Sequence, residues 1–118
     1  MYQQLSGSTG KLLGFKISDE VTAEDGRQIG AIVAEKIAVS TKIRLLVEIE
    51  GFRHMEPEEL LDNLKFARDH AGDIERMAVL SDRVWIKSWV KLGGLQTNAE
   101  VEHFDRSEIE AAWKWLEH

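Results

Sequence analysis

The spacing of apolar and polar residues changes several times along the chain, and each change marks an element. Tyr2–Leu5 and Lys11–Ile17 are short, alternating or apolar segments separated by Gly7-Ser8-Thr9-Gly10, the pattern of a β-hairpin. Thr22-Ala23-Glu24-Asp25 then forms a capping-box variant, with Asp25 where Glu or Gln is usual. Ile29, Ile32, Val33 and Ile37 follow at helical spacing, so a helix is expected to about Val39. Ile43–Ile49 is short, rich in branched residues and almost continuously apolar, as a parallel strand buried on both faces should be. Pro57 suits the first turn of a second helix, with Glu58 and Glu59 near its positive end and Leu60, Leu61, Leu64 and Ala67 on its inner face. Ile74–Leu80 is a second buried-type strand, and Val101–Phe104 a final short one. Asp105 or Ser107 can cap a last helix in which Ile109, Ala112, Trp113 and Leu116 share a face. Trp115 falls on another face, where a strand edge or a partner subunit is expected to cover it. The order is β-β-α-β-α-β-α-β-α: a single α/β domain over residues 1–118, with a mostly parallel sheet, an N-terminal hairpin and four helices.

The segment Asp82–Gly94 carries the strongest local signal. At about 100° per residue, Trp85, Trp89 and Leu92 share a face, extended by Ile86 and Val90, and Arg83, Lys87 and Lys91 form a separate cationic stripe. Ser81 or Asp82 is expected to cap this helix and Gly93-Gly94 to stop it. Ile86 and Val90 suffice to face a sheet, which would send the two tryptophans sideways or outward. Phe66 lies opposite the apolar face of the preceding helix, among Glu59, Asn63 and His70. It can meet Trp85 or Trp89 if the two helices lie side by side. Such aromatics are expected to be covered by one another, by a ligand or by a second subunit, because burying each contributes a few kcal/mol.

Composition narrows the chemistry. The chain has 118 residues, no cysteine and a formal charge of −6. Disulfides, thiol catalysis and thiolate metal sites are excluded, and a general nucleic-acid footprint is not expected. No apolar run approaches the roughly 20 residues of a membrane-spanning helix, and Met1–Leu5 lacks the pattern of a secretory signal. The expected location is cytoplasmic, with weak contact at the inner face of a membrane as the most the cationic stripe supports. Catalytic patterns are missing: there is no Gly-x-Ser-x-Gly elbow, phosphate-binding glycine loop or His-x-x-x-His pair. No catalytic residue, metal or cofactor is therefore expected.

Three blocks resemble the SpoIIAA-like family of the STAS superfamily, whose fold is also similar to the lipid-binding CRAL-TRIO (Sec14) domain. They are Gly10–Ile17 with Val21–Asp25, Ile43–Phe52 continuing to Asp62–Phe66, and Ile74–Asp82. The resemblance implies a small, often dimeric α/β domain associated with nonpolar ligands or membranes. The family usually has an aromatic after the Thr-x-Glu-Asp motif, where this chain has Gly26. The superfamily's anti-sigma-factor antagonists switch on a phosphorylated serine in the region matching Gly51–Pro57. This chain has no Ser, Thr or Tyr between Thr41 and Ser81, so that switch is chemically excluded here.

The expected site lies between the helix at Pro57–His70 and the tryptophan helix. Phe52, Met55, Phe66, Trp85, Trp89 and Leu92 would line an apolar ligand, and Arg53, Arg83, Lys87 and Lys91 would meet an anionic group or a membrane surface. The function expected first is a noncatalytic module for a small nonpolar or amphipathic ligand. The alternative is a homodimeric protein-interaction module using the same aromatic surface.

Overall fold

The computed structural model describes residues 2–18, 22–50, 72–92 and 99–118. A five-stranded sheet is built from β1 (Tyr2–Gln4), β2 (Leu12–Ser18), β3 (Ile43–Glu50), β4 (Ile74–Leu80) and β5 (Glu100–Phe104) in that spatial order. β1 pairs antiparallel with β2, and every other pairing is parallel. The described helices are α1 (Ala23–Ser40), α2 (Val84–Lys91) and α3 (Ile109–Glu117), the last preceded by a 3-10 turn at Arg106–Glu108. The helix expected at Pro57–His70 and the stop expected at Gly93-Gly94 lie outside the described residues.

The period-2 alternation of the strands divides the core into two layers. Leu13, Phe15 and Ile17 of β2, Leu45, Val47 and Ile49 of β3, and Met77 and Val79 of β4 face one side. There they pack with Ile29 and Val33 of α1 and Ile86 and Val90 of α2. Leu46, Ala78 and Leu80 face the other side and pack with Ala112 and Leu116 of α3. Near-continuous apolar sequence in β3 and β4 is thus the signature of strands covered on both faces. One irregularity keeps the layers intact: the β3–β4 register shifts between Ile43 and Arg44, so that Ile43 opposes Ile74 while Arg44 opposes Arg76. The extra residue, Glu75, is a bulge that lets Ile74 and Met77 serve the same layer despite their three-residue separation.

The hairpin turn uses Gly10 at φ +57°, a conformation that suits glycine. Ser8 Oγ accepts the Gly14 amide at 2.9 Å. The capping box of α1 forms as expected: Asp25 N–H donates to Thr22 Oγ1, and the Asp25 carboxylate accepts the Thr22 amide, both at 3.1 Å. The 3-10 turn carries its own box between Asp105 and Glu108.

The cap of α2 differs from expectation. Its N-cap is Arg83, which makes no side-chain cap bond. Ser81 Oγ accepts the Arg83 amide at 3.0 Å, one residue ahead of the helix. Asp82 Oδ1 instead accepts the Arg106 amide at 3.2 Å, because the β5–α3 connection passes within its reach.

Two arginines finish α3. Arg44 Nη1 donates to the Leu116 carbonyl at 2.5 Å and Arg76 Nη1 to the Trp115 carbonyl at 2.8 Å. Carbonyls at a helix C-terminus have no partners within the helix and carry partial negative charge, so guanidinium groups are favourable there. Arg44 and Arg76 stand opposite each other on neighbouring strands. Glu75 and Glu100 offset their charges, at 3.3 and 3.1 Å respectively.

Candidate functional site

Helix α2 positions its side chains by period alone. Ile86 is fully buried and Val90 is 8% exposed, and these two anchor the helix on the sheet. Trp85 and Trp89 sit half-buried on one flank, with part of each ring against the same core layer. Val84 and Leu92 face away from the core and are 78% and 87% exposed. Lys87 and Lys91 are exposed on the flank opposite the tryptophans. The helix therefore carries more apolar surface than its anchorage to the sheet uses.

Of the residues expected to form the site, the structure brings Trp85, Trp89 and Leu92 onto one helix beside Lys87 and Lys91. Arg83, half-buried at the N-cap, precedes them. Phe52, Arg53, Met55 and Phe66 lie outside the described residues.

His103 of β5 lies on the α2 side of the sheet, on the same strand face as Val101. Its Nε2–H donates to the Ser81 carbonyl at 3.0 Å, which leaves Nδ1 to take up a proton. Burial holds its pKa below the ordinary 6.5, and the Lys87 and Lys91 charges act in the same direction. The Ser81 carbonyl and the Asp105 carboxylate oppose them. Neutral His103 therefore favours the fold above pH 6.5, and that contribution is lost as the pH falls through the lower native value.

A second polar feature lies at the carboxyl ends of β2 and β3, on the α3 side of the sheet. Arg106 Nε meets Glu48 Oε2 at 3.0 Å, and its Nη2 lies 3.8 Å from Glu50 Oε2. Lys16 Nζ lies 3.0 Å from the same Glu50 oxygen. The Glu48 side chain is only 12% exposed, so its pairing with Arg106 satisfies a charge that would be costly alone. This network ties the β5–α3 turn to the sheet. Sequence reading missed it, although a glutamate inside the apolar run Ile43–Ile49 was a visible signal.

The hydrogen bond and charge of Lys16 hold the Glu50 carboxyl below its ordinary 4.5, and Arg106 adds to the effect. The stabilisation is present above pH 4.5 and is lost as the pH falls through the native value. Lys16→Gln should move the Glu50 midpoint back toward 4.5 in a carboxyl-detected NMR titration. An unchanged midpoint would show that the pair does not form in solution.

Two depressions accompany these elements. One of about 160 Å³ is lined by Tyr2, Gln3, Lys16, Ile17, Ser18 and Glu50. A wider, open one of about 560 Å³ runs between α1 and the hairpin, past Leu13, Ile32 and Val39. No group of three or more His, Asp or Glu side chains suited to a metal ion occurs among the described residues. Among those residues, too, no helix is long and apolar enough to cross a membrane. Trp115 packs on Phe104 of β5, with ring centroids 5.9 Å apart, and lies under the Arg76 guanidinium at 5.3 Å. It covers a strand edge, one of the two places expected for it.

The fold and its strand order define a small α/β domain with a mostly parallel five-stranded sheet. The family model for SpoIIAA-like proteins matches residues 12–117, and the chain belongs to that family. Among solved structures it is similar to an uncharacterised protein of the DUF3478 family, with a SpoIIAA-like fold, from Shewanella loihica PV-4. That similarity has a TM-score of 0.62 at 21% identity and covers 89% of this chain and 83% of the other. No functionally curated protein matches the chain.

Proposed function

We propose that this chain is a noncatalytic SpoIIAA-like binding module that takes a small nonpolar or amphipathic, lipid-like ligand at α2, with reversible membrane association through the same face. The observation that carries the reading is the division of α2: Ile86 and Val90 serve the core, while Val84 and Leu92 stand in solvent beside the half-buried Trp85 and Trp89. Covering these side chains would remove substantial apolar area from water, at about 25 cal/mol per Å². Lys87 and Lys91 stand exposed on the same helix, and interfacial helices combine an apolar face with basic flanks.

Titration with oleate and with phosphatidylcholine vesicles, followed by tryptophan emission, tests the reading. A blue shift is expected, and it should disappear in the Trp85→Phe/Trp89→Phe double variant, because Trp113 and Trp115 lie on the opposite layer. No shift with either probe would overturn the reading. A concentration-dependent dimer that Trp85→Ala dissociates, in a chain that ignores both probes, would replace it with a protein-interaction module.

A further inference from the structure

We propose that the α2–β5 corner docks on an anionic bilayer, with His103 as the group that sets the pH of docking. This rests on the reading of α2 as the ligand-facing element. It adds the charge of the partner surface and the control of binding.

The argument begins with position. Lys87 and Lys91 lie one helical turn apart on one exposed flank of α2. His103 lies on the same face of β5 as Val101, which packs in the layer of Ile86 and Val90, and its Nε2 holds the Ser81 carbonyl just ahead of α2. Protonation of Nδ1 would add a positive charge on the side of the sheet that carries the exposed lysine pair and the exposed side chains of Val84 and Leu92. Exposed apolar side chains beside positive charge complement a lipid surface bearing negative headgroups.

The surroundings decide the direction of the response. His103 stands opposite Val79 of β4, which does not titrate. Burial, Lys87 and Lys91 oppose its protonation, and Asp105 and the Ser81 carbonyl favour it. The other charged side chains of β5, Glu100 and Glu102, alternate to the opposite face of the strand from His103. Asp82 and Arg83 flank the start of α2. The chain as a whole carries −6, which repels an anionic bilayer at neutral pH. A surface of negative headgroups offsets the lysine repulsion on His103, so docking raises its proton affinity. By linkage, lowering the pH tightens docking.

The test uses the full chain with vesicles of phosphatidylcholine alone or mixed with phosphatidylglycerol, whose headgroup does not titrate in this range. Affinity for the mixed vesicles should rise about fivefold between pH 7.5 and pH 5.5. It should fall with added salt. His103→Gln keeps an N–H donor for the Ser81 carbonyl and should show a clearly smaller pH dependence than the native chain, the remainder coming from His54, His70 and His118. His103 should also titrate higher by NMR when mixed vesicles are present.

Equal affinity for neutral and mixed vesicles at both pH values would overturn the proposal and leave the apolar reading of α2 standing. So would a pH response in His103→Gln as large as that of the native chain. A comparable His103 shift caused by inorganic phosphate alone would indicate a small-anion site and would also overturn bilayer docking. No binding to any vesicle, together with no emission change on adding oleate, would remove both readings.

Discussion

Gly14→Ala is expected to destabilise the domain by about 2 kcal/mol. A Cβ at this position would lie 2.6 Å from Cη2 and 2.9 Å from Cζ2 of Trp113, and 3.3 Å from Leu5 Cδ1. Gly14 is fully covered in the middle of β2 and its backbone is ordinary, so the requirement for glycine here is one of space. Gly7, in the hairpin turn, is approached by the same ring, with a Cβ position 2.7 Å from Cε2. The indole of Trp113 thus occupies a slot that two glycines leave open, and it fixes α3 against the hairpin. Urea denaturation measures the loss. In a Trp113→Leu background the cost of Gly14→Ala should shrink markedly, since the clashing ring is gone, and the double-mutant cycle reports the coupling directly. Full additivity of the two substitutions would show that the ring does not fill the slot.

Ile86→Ala should cost about 2–4 kcal/mol, because it opens a cavity under α2, the described helix that carries candidate site residues. Ile86 is fully buried among β-sheet side chains, with Val90 as its partner one turn on. Val84→Ala, two residues away, should change stability by no more than about 0.5 kcal/mol, since Val84 is 78% exposed. The contrast separates the two roles of α2 by denaturant midpoint alone. Equal costs at the two positions would contradict the placement of the helix.

Much of this architecture was legible in the residues because local rules and tertiary structure agree. The Thr22–Asp25 box, the continuous apolar runs of β3 and β4, and the glycine-marked hairpin each name their element without help from distant parts of the chain. The sideways placement of Trp85 and Trp89, half-buried on one flank, also followed from period alone, once Ile86 and Val90 were assigned to the sheet.

What was missed depends on residues far apart in sequence. Arg106 finds Glu48 across 58 positions and Arg44 finds the Leu116 carbonyl across 72, and no local pattern encodes such pairs. Asp82 had the right identity for a helix cap, but the passing Arg106 amide takes its carboxylate instead. The site was partly legible for the same reason. A helix face can be read from one segment, but its cover requires a neighbour, and the expected neighbours Phe52, Met55 and Phe66 fall outside the described residues.

The claim that the outer face of α2 is the binding surface is tested most directly by a Val84→Asp/Leu92→Asp double variant. Both positions are open to solvent, so the urea midpoint should stay at the native value. Affinity for a fluorescent fatty acid, measured in the same preparation, should fall at least about tenfold, because two apolar side chains in the contact are replaced by hydrated charges. A stable variant that binds the fatty acid as tightly as the native chain would contradict the account.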